Sequence, residues 1–185
     1  MTAPEPLLDR AGIERAFRAL GDRLRRRGVV ADVYVVGGAA MVLAFDARRA
    51  TRDIDAVFHP HGVVLDEARE VAAELGLPRY WLNDQASVYV SSVEDVHAVR
   101  VFDYPGLRVS AASAEHLLAM KALAGRRFAD RDDLATLIGM LGLTTVEQVE
   151  LTCARVFPEE PLSGRARLLV EDVLAEVQRP AKGDW

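Results

Sequence analysis

The chain has 185 residues, of which 50% are hydrophobic, and a formal net charge of −5. That length and apolar content suit one large domain or two small subdomains with a real core. The acidic balance excludes a protein coated in basic surface for indiscriminate nucleic-acid binding, although a local basic patch is compatible with it. The single cysteine, Cys153, excludes an internal disulfide framework and fits a reducing cytosol. Met1 to Pro6 has neither the charged region nor the apolar region of a signal peptide, and the longest apolar run, Val33 to Phe45, is too short to span a bilayer. The expectation is a cytoplasmic protein with no membrane segment.

In chain order, Leu7 to Arg27 is predicted as a first helix. Ile13, Ala16, Phe17, Leu20 and Leu24 recur on one helical face. Arg23, Arg25, Arg26 and Arg27 crowd its C-terminal end, where cations suit the helix dipole, and Gly28 is the expected stop. The plain reading of these arginines is a solvated helix end; the sharper one is part of an RNA-binding patch.

The next stretch organises the rest. Val33 to Val36 reads as a strand, Gly37-Gly38 as a turn, and the apolar residues after it as a short helix. A basic loop with Arg49, Thr51 and Arg52 then leads into a second strand that opens with Asp53-Ile54-Asp55. Alternation along a strand points Asp53 and Asp55 the same way, with Cα atoms roughly 6.5–7 Å apart. Two carboxylates held that close repel one another unless a cation sits between them, and Mg2+, which takes one or two carboxylates plus phosphate oxygens, is the natural occupant. Gly37 and Gly38 let the backbone approach a ligand and open a helix whose free N–H groups favour phosphate. The basic loop beside them suits a triphosphate. The glycine pair lacks the Gly-Lys-Ser/Thr ending of a P-loop and the third glycine of a dinucleotide fingerprint.

His59-Pro60-His61-Gly62 reads as a turn in preference to a zinc site. A helix to Leu75 follows, ended by Gly76 and Pro78. Val88 to Val90, Val96 to Phe102 and Leu107 to Val109 are expected strands, with Tyr104-Pro105-Gly106 as a hairpin turn. Asn83 and Asp84 read as turn formers, and Asp103 as a strand-ending acid.

From Ser113 on, the pattern is helical. Ser113, Asp130, Thr145 and Ser163 are the expected N-caps, Thr145 with Gln148 forming a capping box, and Pro180 closes the last helix. The composition shift divides the chain into an α/β (α+β) part, residues 1–112, and a C-terminal helical part, residues 113–185. Lys121 follows Leu117 and Leu118 by four and three residues, so it projects from an apolar stripe and needs an anion or a cleft to point at. A phosphate-directed lysine and a snorkelling one are the two readings. Asp133, one residue before the next stripe, is the expected proton acceptor or a tuner of Lys121.

A Gly-Gly turn after a strand, a short helix and then Asp-x-Asp resembles the nucleotidyltransferase superfamily of the polymerase-β-like fold. More narrowly, Arg49-x-Thr51-x-Asp53-Ile54-Asp55, with Leu117 to Ala124 and Asp130-x-x-Asp133-Leu134, is similar to AbiEii-type and MenT-type toxins. The resemblance implies a mixed sheet flanked by helices and followed by a helical bundle. It implies an NTP and Mg2+ held at Asp53 and Asp55, phosphate contact by Lys121, and Asp133 as base. The expected acceptor is the 3′ end of tRNA and the expected partner a cognate antitoxin. Ala39 stands where many members have a serine. A third metal-binding carboxylate is expected on a later strand, Asp103 first and Asp84 next. Two other readings stay open: transfer to a small-molecule or protein hydroxyl, and a nucleotide-binding or partner-binding regulator without transfer.

Overall fold

The computed structural model describes residues 7–47, 50–125 and 130–179. Arg49 and Pro180, to which the sequence assigns roles, lie outside the described residues. The fold is mixed α/β and divides into two compact units. The first holds residues up to 90 together with 96–112; the second holds 91–95 together with 113 onward.

In the first unit, the chain runs β1 (Leu8–Asp9), α1 (Arg10–Arg26), β2 (Ala31–Val35), α2 (Gly37–Leu43), β3 (Ala50–Thr51), β4 (Ile54–His59), α3 (His61–Leu75), β5 (Leu82–Asn83), a 3-10 turn (Gln85–Tyr89), β6 (Val99–Tyr104) and β7 (Leu107–Ala111). Five strands form one mixed sheet in the order β5-β4-β2-β7-β6, and β1 and β3 form a small antiparallel ladder. β2 pairs antiparallel with β4 and parallel with β7, while β4 pairs parallel with β5.

Period-two alternation separates the two faces of this sheet. Val33, Val35, Ile54, Ala56, Phe58, Leu107, Val109 and Ala111 are all buried. Between them stand Asp32, Asp55, Val57 and Arg108, which are half-buried or exposed. The apolar side of the unit is closed by α1 and α3. Phe17 of α1 meets Trp81 and Phe102 at ring-centroid distances of 6.2 and 5.6 Å, and the Trp81 indole donates to the Ala68 carbonyl of α3 at 2.8 Å. α1 lies so close to the β6–β7 hairpin that a Cβ on Gly106 (φ +88°) would come within 2.4 Å of the Gly21 carbonyl oxygen.

The first helix starts at Arg10 because Leu8 and Asp9 pair with Thr51 and Ala50, and Asp9 caps the helix by accepting from the Gly12 N–H at 2.7 Å. The expected strand at Val88 to Val90 is instead part of the 3-10 turn and its end. Val88 and Tyr89 are 79% and 67% exposed, so β-prone residues there have no sheet face to pack against.

The second unit holds α4 (Ala114–Ala124), α5 (Arg131–Met140), α6 (Val146–Val156) and α7 (Gly164–Val177). Ser113 and Ser163 cap α4 and α7, and Thr145 with Gln148 forms the capping box of α6. Asp130 precedes α5, but its side chain makes no capping bond. Among the described residues, no helix is long and apolar enough to cross a membrane.

Candidate active site

The acid strand and the glycine turn meet at one end of the first unit's sheet. The Val36 N–H donates to the Asp55 carbonyl at 2.9 Å, which continues the β2–β4 ladder up to the start of α2. Gly37 takes φ +62°, a left-handed conformation that glycine adopts without the strain other residues incur. Asp55 faces this turn: a Cβ built on Gly37 would lie 3.6 Å from Asp55 Oδ2. Val36 contributes no side-chain cap, so the first turn of α2 relies on other partners for its N–H groups. At the other end of α2, Arg10 donates to the Val42 and Leu43 carbonyls, both at 2.9 Å. This guanidinium on the final carbonyls was not anticipated from sequence, because α1 and α2 are joined through tertiary packing.

Asp53 lies one residue before β4 and is exposed, next to buried Ile54. Thr51 is 8% exposed, and its hydroxyl donates to the Asp53 carbonyl at 3.0 Å. Thr51 thus shapes the backbone that presents Asp53. Arg52, between them, is exposed. Asp53 and Asp55 suit a hard divalent cation that draws its remaining oxygens from phosphate and water. Among the described residues, no group of three or more His, Cys, Asp or Glu side chains is placed to hold a metal unaided.

The third carboxylate is not at Asp103. In the sheet, Asp103 of β6 is level with Arg108, Arg108 with Asp32, and Asp32 with His59, at the far end of β4 from Asp55. Three strand spacings and about four residues of rise separate the two acids, roughly 20 Å. Arg108 donates to Asp32 at 2.6 Å, and Asp32, with a smaller contribution from Asp103, holds the guanidinium above its ordinary pKa. The residue in register with Asp55 on the adjacent strand is Asn83, an amide. Asp84 follows it and sits 2.7 Å from His61 Nε2, a hydrogen bond that draws the Asp84 carboxyl below its usual range. His61 itself stacks on Phe58 at 5.3 Å.

In the second unit, Lys121 does have its anion, in fact two. Its Nζ lies 2.9 Å from Asp130 Oδ1 and 2.6 Å from Asp133 Oδ2, with all three residues at most 9% exposed. The lysine therefore does not snorkel, and Asp130 spends its carboxylate on Lys121 instead of on a helix cap. A buried triad of this kind loses stability when the cation is removed, because two carboxylates are left without a counter-ion. An alanine at position 121 is thus expected to perturb the fold.

The same unit contains a Ser–His–Asp cluster that sequence spacing did not reveal. His116 Nδ1 lies 3.2 Å from Ser113 Oγ and 3.3 Å from Asp95 Oδ1, while Nε2 lies 3.3 Å from the Val93 carbonyl. Asp95 Oδ2 accepts from the Ser113 N–H at 2.8 Å. Ser113 is 3% exposed and its hydroxyl accepts the His116 N–H as an N-cap. The cluster ties the short segment 91–95 to α4; a serine nucleophile would need a hydroxyl accessible to substrate.

Two arginines of the α1 cluster, Arg23 and Arg27, pair with acids of α3, while Arg25 and Arg26 are exposed. Arg23 lies 2.7 Å from Glu67, 3.6 Å from Glu70 and 3.6 Å from Glu74, and Arg27 lies 2.9 Å from Glu67. Burial pushes the Glu67 carboxyl up, but the hydrogen bonds from Arg27 and Arg23 outweigh it and leave the group below the usual glutamate value. Arg23 and Arg27 join α1 to α3.

A family described as "Nucleotidyltransferase of unknown function (DUF6036)" matches residues 15–161. The chain belongs to this nucleotidyltransferase family. The match includes the glycine turn, the acid strand and the Lys121 segment. No curated protein matches the nucleotidyltransferase chain significantly. Among solved structures, it can be superposed on an antigenic nucleotidyltransferase-like protein from Paracoccidioides brasiliensis, with 15% identity over 92% of this chain and 91% of that one and a TM-score of 0.37. That superposition is too loose to assign any residue.

Proposed function

We propose that this nucleotidyltransferase moves a nucleotide from an NTP onto an acceptor hydroxyl, with Mg2+ held by Asp53 and Asp55. The observation that carries this reading is the approach of the Asp55 carboxylate to Gly37, where a strand acid meets the turn opening α2. When bound, Mg2+ neutralises phosphate charge and polarises the α-phosphoryl group. The chain's own residues do the positioning. The Gly37 and Gly38 amides cradle phosphate, and Arg52, with Arg49 three residues earlier in the sequence, draws in its charge. The acceptor oxygen attacks the α-phosphorus, the bond to the β-phosphate breaks, and pyrophosphate leaves. Asp55 or Asp133 takes the acceptor proton.

The resemblance to AbiEii-type and MenT-type toxins favours the tRNA 3′ end as acceptor and an adjacent antitoxin as partner. A second reading, a small-molecule or protein hydroxyl, is favoured by the net charge of −5 and by the ion-paired state of Arg23 and Arg27. Incubation with total tRNA and each α-labelled NTP separates them: label on RNA supports the first, and pyrophosphate release with unlabelled RNA supports the second. Nucleotide binding without any pyrophosphate, over a broad acceptor set, would mean a regulator and would end the proposal of transfer.

A further inference from the structure

We infer that this site binds one divalent cation with its nucleotide rather than two, because Asn83 occupies the position from which a third carboxylate would reach a second cation. The inference rests on the proposed nucleotide site and specifies its metal count.

In a parallel pair, residues in register point to the same side of the sheet. Asn83 is the register partner of Asp55, one strand spacing away, about 4.8 Å. It is 4% exposed, so it is built into the sheet edge and is not a loose surface residue. Its side chain is already engaged: Oδ1 accepts from the Gln85 N–H at 3.0 Å, and Nδ2 approaches the Tyr80 carbonyl at 3.4 Å. A neutral amide whose oxygen is spent on a backbone N–H is a poor ligand for Mg2+, which favours anionic oxygen and ideal octahedral geometry.

Two cations about 3.5–4 Å apart need enough bridging negative charge to offset their repulsion. Asp53 and Asp55 are the two carboxylates the chain offers, and with the phosphate oxygens of the nucleotide they complete the shell of one cation without bridging to a second. The other acids considered are committed elsewhere. Asp84 pairs with His61, Asp103 is at the far end of the sheet, Asp133 and Asp130 hold Lys121, and Asp95 holds Ser113 and His116. Among the described residues, no third ligand completes the pair.

The test is electron paramagnetic resonance of the full chain titrated with Mn2+ in the presence of each of the four α,β-methylene nucleoside triphosphates. The expected result is one Mn2+ per protein–nucleotide complex, with an uncoupled six-line spectrum. Asn83→Asp retains an oxygen for the Gln85 N–H and adds the missing charge, so it is expected to raise the stoichiometry from one to two and to broaden the spectrum by spin coupling. Two coupled Mn2+ ions in the unmutated protein would overturn the single-cation inference and leave the nucleotide site standing. Failure of Asn83→Asp to gain a second ion would overturn the assignment of this position as the deciding one. No protein-bound Mn2+ with any of the four nucleotides would remove the nucleotide site itself, and the inference with it.

Discussion

Lys121 Nζ lies 2.6 Å from Asp133 Oδ2 although the two side chains are only 9% and 4% exposed. A lysine four residues after a leucine on an apolar stripe would otherwise be a liability. Here a second carboxylate, Asp130 at 2.9 Å, completes its surroundings. Lys121→Ala is expected to lower unfolding free energy by about 3–5 kcal/mol, the usual effect of breaking a buried ion pair from one side. The triple change Lys121→Met, Asp130→Asn, Asp133→Leu is expected to recover most of that loss. Urea denaturation checks both. A Lys121→Ala protein as stable as its parent would mean that the triad is not closed in solution.

Glu67 gives a pH signature. Burial alone would raise its folded pKa, but the hydrogen bonds and charges of Arg27 and Arg23 together leave it below the ordinary 4.5. A depressed folded pKa means stability that is fully present above the unfolded value and is lost as pH falls through the folded one. Glu67→Gln is therefore expected to lower the urea midpoint at pH 7, with the gap to the parent closing below pH of about 4.5. A gap that stays constant down to pH 3 would assign the effect to packing instead of charge.

Cys153 should be chemically silent. Burial, with a smaller contribution from the Glu150 carboxylate, pushes its thiol up to about 12, and it is 2% exposed. Because the thiolate is the reactive form, Ellman's reagent at pH 8 is expected to modify the native chain about a thousandfold or more slowly than the urea-unfolded one. Comparable rates would indicate that α6 opens readily.

Much of the second unit could be read directly from the sequence, because caps are local chemistry. A serine or threonine hydroxyl reaches an N–H three residues on, so Ser113, Thr145 and Ser163 announce their helices. The alternation of β4 was legible for a similar reason, since period two sets half-buried Asp55 between buried Ile54 and Ala56. What was not legible depends on partners distant in sequence. The sequence marked Lys121 as needing an anion but did not choose Asp130 and Asp133 over phosphate. It offered Asp103 as a metal ligand because its distance from Asp55 follows only from sheet order and register. The acids facing the α1 arginines did leave a signal: Glu67, Glu70 and Glu74 recur at helical spacing. Val88 and Tyr89 misled because β propensity reflects packing that those positions lack.

Asp55 carries the account, and Asp55→Asn is the variant that isolates it. The change keeps shape and size at a half-buried position and removes the charge that faces Gly37. The most direct measurement is pyrophosphate release from each NTP with Mg2+ and total tRNA, made on the parent chain and on Asp55→Asn with thermal midpoints recorded alongside. The account predicts release by the parent, a fall of at least about a hundredfold in the variant, and little change in thermal midpoint. Undiminished release by a folded Asp55→Asn protein would contradict it.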